Sequence, residues 1–182
     1  TSLPYPEYLE LRNQCKTLSG IIGSARHGAI LSNGEVSEVL LAEIVSRNYF
    51  SVLGIKPHLG RVFHDGDKDA TAAVAVISYG LWQRRFGGDP AIVGKEIELT
   101  RRQLTVIGIA PRGFGGIDRP RAVTDVWYPV EMFGPSTMGP RGDAFDLLGR
   151  TAAGVSVGQA QAEVDAILRR PTSSTLTADR IT

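Results

Sequence analysis

Only one cysteine, Cys15, occurs in the chain, so no disulfide can form within it and a small thiol-stapled scaffold is excluded. Three histidines are present, and His27 and His58 have no partner at H-x-x-x-H or C-x-x-C spacing, so a zinc site would need long-range convergence. Charge of one sign is also missing. Lysine and arginine number 20 against 19 acids, a net +1, and such a balance provides no field for a polyanion. Arg84-Arg85 and Arg101-Arg102 are too short and too far apart for a phosphate-binding stripe and read as solvated charge, so no nucleic-acid partner is expected. No apolar run reaches the roughly 20 residues that a membrane-crossing helix needs, and no signal-peptide pattern is present.

What is present suits a folded domain. At 182 residues, 42% hydrophobic and 21% charged, the chain can build one core or two small lobes. Pro6, Glu7 and Glu10 predict a first helix, since proline is preorganised for a first turn and carboxylates suit its positive end. Two β-rich runs, 21–31 and 36–45, flank Asn33-Gly34, a strong hairpin signal. A short helix is predicted over 46–54, capped by Ser46 and ended by Gly54. The unbroken apolar run 73–78 reads as a strand buried on both faces, followed by a Ser78-capped helix that turns Leu81, Trp82, Arg85 and Phe86 to one side. A hairpin over 96–109, a glycine-rich loop over 111–120, a strand at 126–128 and a turn-rich segment over 132–142 follow. A strand at 147–151 leads into a helix opened by the capping box Ser156-x-x-Gln159 and stopped by Pro171. The polar tail 171–182 predicts a flexible end, and the whole pattern predicts an α+β fold in which antiparallel pairs outnumber parallel ones.

Patterns that carry chemistry fail on spacing. His64, Asp65, Asp67 and Asp69 form an acidic loop, but an EF-hand loop needs glycine at Ala70 and a bidentate glutamate at Val76, so a solvated turn is predicted. Gly94-Lys95 lacks the upstream glycine, since Asp89 stands there, and Glu96 replaces the Ser or Thr of a phosphate-binding loop. Gly113-Phe114-Gly115-Gly116 has no dinucleotide spacing. Ser24 and Ser78 lie in no nucleophile elbow, Cys15 has no sequence-near base, and Asp143 with Asp146 read as exposed acids beside a turn. Arg141-Gly142-Asp143 reads as a chance triplet. Trp82, Trp127, Tyr49 and Phe50 read as core residues rather than a stacking surface. No catalytic, cofactor-binding or metal-binding residue is nominated, no cofactor is expected, and the substrate contact is open.

One long stretch is more telling than any of these. Asn48 to Phe63 (NYFSVLGIKPHLGRVF), an acidic loop, then Val74 to Pro90 (VAVISYGLWQRRFGGDP) resembles the periplasmic core domain of MacB-type ABC transporter permeases, in the variant of acidobacterial duplicated orphan permeases within the FtsX, MacB and LolC/E superfamily. The order continues through IVGK (92–95), LTVIGIAP (104–111), GFGG (113–116), DVWYP (125–129) and GVSVGQAQAEV (154–164), so the resemblance spans about Tyr5 to Arg170. It implies a porter-like lobe with βαβ elements, mapped to 1–88 and 143–170, and a smaller, mostly β sabre-like lobe at 89–142. It also implies a non-catalytic extracytoplasmic domain that couples cytoplasmic ATP hydrolysis to movement outside the membrane, for efflux or for release of substrate or lipoprotein. Cargoes of the wider superfamily include macrolides, peptide toxins and lipoproteins. The expected partners are flanking transmembrane helices of the same chain, a cytoplasmic ABC ATPase, and a periplasmic adaptor or outer-membrane channel. The expected location is the periplasmic face of the bacterial inner membrane, the chain being a segment of a longer protein, and a monomer is expected in solution. The competing reading is a freestanding extracellular glycan- or peptide-binding module.

Overall fold

The computed structural model describes residues 2–32, 36–67, 69, 71–117, 123–133 and 145–169. The Asn33-Gly34 turn, the loop beyond residue 133 with Arg141-Gly142-Asp143, the Pro171 stop and the tail 171–182 lie outside the described residues. In chain order the elements are β1 (Ser2–Leu3), α1 (Tyr5–Gln14), β2 (Leu18–Ser32), β3 (Ser37–Val45), α2 (Tyr49–Leu53), β4 (Leu59–Gly60), β5 (Val74–Ile77), α3 (Tyr79–Phe86), β6 (Glu96–Leu99), β7 (Arg102–Ile109), β8 (Val126–Pro129), β9 (Phe145–Thr151) and α4 (Val157–Leu168). Short 3-10 turns occupy Pro90–Ile92 and Val130–Phe133. This is the α+β class that the sequence predicts.

The chain forms two compact units, Thr1–Gly23 with Asp143–Thr182, and Ser24–Gly142. In the first, β1 pairs antiparallel with β9, and β9 neighbours the opening residues of β2. Helices α1 and α4 supply Tyr8, Leu11 and Ile167, which join Ile21 of β2 in one apolar cluster. The Ser156–Gln159 capping box is complete, with two orphan N–H groups at the start of α4 satisfied reciprocally. Pro6 sits in the first turn of α1, where its missing N–H costs nothing.

In the second unit strand pairing runs in a closed circuit. β2 pairs antiparallel with β3, β3 parallel with β8, β8 antiparallel with β5, β5 parallel with β7, β7 antiparallel with β6, and β6 antiparallel with the end of β2. Closure satisfies backbone groups that an open sheet would expose. The β6–β2 closure and the short strands β1 and β4 carry no sequence signal. All four residues of β5 are buried between β7 and β8, as its unbroken apolar run requires.

Two non-glycine residues with positive φ, Thr100 (50°) and Arg101 (66°), turn β6 into β7. Threonine is disfavoured there. Thr100 is held by Ile30, whose C=O accepts from its N–H at 2.7 Å and whose N–H donates to its Oγ1 at 3.1 Å. Where β4 crosses β7, the backbones touch: a Cβ on Gly108 would stand 2.1 Å from the Arg61 carbonyl oxygen, and one on Gly60 would stand 2.4 Å from that of Ile107. The LGR and VIGIAP segments are therefore the two sides of one backbone contact.

One expectation is displaced. Ser46 does not cap α2: Asn48 occupies the N-cap position without a side-chain cap bond, and Ser46 Oγ instead donates to Asn48 Oδ1 at 2.8 Å. Residue 88 itself lies within the compact unit Ser24–Gly142.

Candidate functional site

Position 43 places a glutamate in an otherwise apolar strand, Leu40-Leu41-Ala42-Glu43-Ile44-Val45, and the fold buries it. Its Oε2 accepts from Trp127 Nε1 at 2.9 Å and Thr124 Oγ1 at 3.1 Å, with Tyr49 Oη at 3.5 Å. Parallel pairing of Glu43 with Trp127 sets this geometry, since paired residues present side chains to one face. Burial pushes the carboxyl above its usual range, against hydrogen bonds from Ser24, Trp127 and Thr124 and the charge of Arg26. Gly116, at φ 96°, brings the 111–117 loop close, for a Cβ there would stand 3.2 Å from Glu43 Oε2. Phe50 and Phe114 pack on the Trp127 ring at 6.0 and 5.3 Å. Hydroxyl and indole donors around one buried acid fasten β2, β3, α2 and β8 together.

The acidic loop is the second centre: His64, Asp65 and Asp69 are exposed, as a solvated turn requires, while Asp67 turns inward to an ion pair. Asp67 pairs at 3.1 Å with Arg47, whose side chain is 4% exposed, and at 2.9 Å with Arg61, whose side chain is 54% exposed. It also accepts from the His64 backbone N–H at 3.1 Å. Burial raises the Asp67 carboxyl, yet that hydrogen bond and the Arg61 and His64 charges together hold it below the usual carboxylate range. Asp69 is held low by the Thr71 hydroxyl and N–H, both at 2.9 Å. His64 Nδ1 accepts from the Gly66 N–H at 3.0 Å. Among the described residues no group of three His, Cys, Asp or Glu side chains converges as a metal set. The loop's carboxylates answer an arginine that sequence reading passes over.

In the other unit Glu163 of α4 takes Thr17 Oγ1 at 2.5 Å, Thr17 N–H at 2.8 Å and Lys16 N–H at 3.1 Å, and the Cys15 thiol donates to it at 3.2 Å. These donors, the Thr17 hydroxyl foremost, draw its carboxyl down to about 2. The clamp fixes α4 to the α1–β2 connection, and Cys15 is part of it.

The other residues of the sequence patterns contact their neighbours. Trp127 is fully buried, and Trp82 is buried with its Nε1–H donating to the Asp89 carbonyl at 2.9 Å. His58 stays exposed beside Tyr79 and Trp82, and His27 Nε2 lies 2.6 Å from Tyr128 Oη. Ser78 Oγ accepts from the Leu81 N–H as a helix cap. Arg84 is not free solvated charge, since it bridges Glu38 at 3.0 Å and Asp125 at 2.9 Å, and Arg102 lies 4.7 Å over the Phe133 ring. Asp146 accepts from the Ser2 hydroxyl, and Asp143 lies outside the described residues. Each unit also holds an open groove. One of about 280 Å³ is lined by Leu11, Leu18, Ile21, Leu147, Val164 and Leu168, and one of about 360 Å³ by Leu31, Arg85, Phe86, Ile92, Glu98 and Gln103. Glu43 and Glu163 escape sequence reading because the donors of their shortest hydrogen bonds lie more than 80 residues away in one case and more than 140 in the other.

The sequence pattern of the MacB-like periplasmic core domain matches residues 1–167. Macrolide export ATP-binding/permease protein MacB of Neisseria gonorrhoeae (strain ATCC 700825 / FA 1090) is 36% identical over 89 residues, 47% of this chain and 13% of that protein. Its counterpart from Neisseria meningitidis serogroup A matches to the same extent. The chain thus spans about an eighth of these relatives' length. Among solved structures, the periplasmic region of MacB from Actinobacillus actinomycetemcomitans superposes with a TM-score of 0.72 at 18% identity, over 99% of this chain and 84% of that one. The extracellular domain of the noncanonic ABC-type transporter YknZ from Gram-positive bacteria gives 0.68 at 18% identity, over 88% and 78%. The chain belongs to the MacB-like periplasmic core domain family.

Proposed function

We propose that this domain is the non-catalytic extracytoplasmic part of an ABC transporter permease. It is held between transmembrane helices of its own chain at the periplasmic face of the bacterial inner membrane, and it moves when a cytoplasmic ATPase hydrolyses ATP. The match over residues 1–167 carries this reading. The polar centres support it mechanically. Hydrogen-bond and ion-pair networks stiffen the elements that they join, and the Glu43, Asp67 and Glu163 centres each lie within a single unit. A domain that transmits displacement needs stiff bodies. We assign the sabre-like lobe to the mostly β unit Ser24–Gly142 and the porter-like lobe to Thr1–Gly23 with Asp143–Thr182, which moves the first lobe border from 88 to 23. An adaptor or outer-membrane channel is the outer partner of this assignment, and efflux or release of substrate or lipoprotein is its outcome.

Spin labels test the coupling. In the full-length transporter with its ATPase, Cys15→Ser removes the native thiol, and cysteines at the exposed positions Val39 and Val157 take the labels. The distance distribution between them is expected to differ between the ADP and the ATP-trapped states. An identical distribution in both, with ATPase activity intact, would refute mechanical coupling through this domain.

A further inference from the structure

We propose that the outer edge of β3 at Ser37–Val39 is a strand-addition site for an extended polypeptide segment that is apolar on one face and acidic on the other. Hydrogen-bond phase supports this. Val39 stands opposite Ile30 in the antiparallel β2–β3 pair, and the N–H and C=O of Ile30 are both engaged with Thr100 on the far side of β2. Ile30 and Val39 are therefore a non-hydrogen-bonded pair, and the N–H and C=O of Val39 face away from β2. Leu41, two residues on, confirms the phase. Its N–H donates to Asp125 Oδ2 at 3.3 Å and its C=O accepts from the Asp125 N–H at 2.8 Å. From Ala42 onward β8 fills this edge, beginning with Val126 opposite Ala42. Before Leu41, among the described residues, no strand pairs with it.

The side chains fit the same occupant. Val39 is 78% exposed and Ile30 opposite it 46%, an apolar pair beside backbone groups aimed at solvent. Edge strands are ordinarily guarded by lysine, proline or a bulge, and Val39 guards nothing. On the other face Arg84 is taken up by Glu38 at 3.0 Å and Asp125 at 2.9 Å, whereas the neighbouring Arg85 meets a carbonyl, that of Val36, at 3.4 Å rather than a carboxylate. An incoming strand with valines continuing the Ile30–Val39 pair would turn its alternate side chains toward the Arg85 side, and there a carboxylate fits. The inference does not depend on the transporter assignment.

The test is a titration of the isotopically labelled chain with acetyl-Val-Glu-Val-Glu-Val-amide, followed by amide shifts and hydrogen exchange. Shifts are expected to centre on Ser37 and Val39, with Val39 amide exchange slowed at least fivefold at saturation. Val39→Lys, an exposed change that leaves the fold intact, is expected to weaken binding about tenfold, and so is N-methylation of the peptide at alternate residues. Arg85→Glu is expected to weaken it about threefold. Shifts centred elsewhere, no binding, or equal binding of the N-methylated peptide would overturn the proposal. Concentration-dependent shifts at the same amides without peptide would overturn it in favour of a second copy of this chain.

Discussion

Asp67→Asn separates two salt bridges that share one carboxylate. Arg47 offers a side chain 4% exposed and Arg61 one 54% exposed, both within about 3 Å of Asp67. A surface pair contributes about 0–1 kcal/mol, so Arg61→Ala should cost no more than that. Removing one member of a buried pair costs about 3–5 kcal/mol. Two features lower the figure here: the Asp67 side chain is itself 12% exposed, and the Glu131 carboxylate remains beside the Arg47 backbone N–H at 3.3 Å. We expect a loss of about 2–3 kcal/mol for Asp67→Asn, and most of it recovered when Arg47→Met is added. Both tryptophans, Trp82 and Trp127, lie in the unit Ser24–Gly142, so intrinsic fluorescence reports that unit's unfolding by itself. With a urea slope of roughly 2 kcal/mol per molar, Asp67→Asn should lower the midpoint by about 1–1.5 M and Arg61→Ala by less than about 0.5 M. Equal shifts for the two single variants, or no recovery in the double variant, would refute the reasoning, because the cost would then not come from the buried arginine.

Gly108→Ala puts a methyl group 2.1 Å from the Arg61 carbonyl and should cost more than about 3 kcal/mol by the same urea assay, while Gly28→Ala enters open space and should change stability by less than about 0.5 kcal/mol. Glu163 has a folded pKa below the ordinary carboxylate value of 4.5, so its contribution is present above about 4.5 and lost as pH falls toward about 2. NMR-detected unfolding of the α1–α4 unit should show that slope, and Glu163→Gln should abolish it. Glu43 has the opposite sign. Its folded pKa is raised, so wild-type stability falls as pH rises from about 4.5 through the folded value, and Glu43→Gln should remove the fall, read by tryptophan fluorescence in urea.

Periodicity and capping made most of the elements legible. The four buried residues of β5, the Ser78 cap with Gly87 in the left-handed region at the end of α3, and the Ser156–Gln159 box are all local, and the chain states them within a few residues. Closure of β6 on β2 is not local: it depends on Leu31 meeting Leu99 across 68 positions, with no motif at either. The polar centres were hidden for the same reason. Glu43 carries no local sign of its partners, because Trp127 and Thr124 arrive from β8 and the segment before it. The acidic loop is exposed at His64, Asp65 and Asp69, as expected; its tie to Arg47 was hidden because that arginine lies 20 residues upstream of Asp67.

The most direct test of the transporter account is topology. In intact cells expressing the full-length protein with Cys15→Ser and Val157→Cys, a membrane-impermeant maleimide is applied before and after the inner membrane is opened. Val157 is 77% exposed, so access depends on the compartment rather than on burial. The account predicts full labelling with the inner membrane intact. Labelling that appears only after that membrane is opened would contradict it.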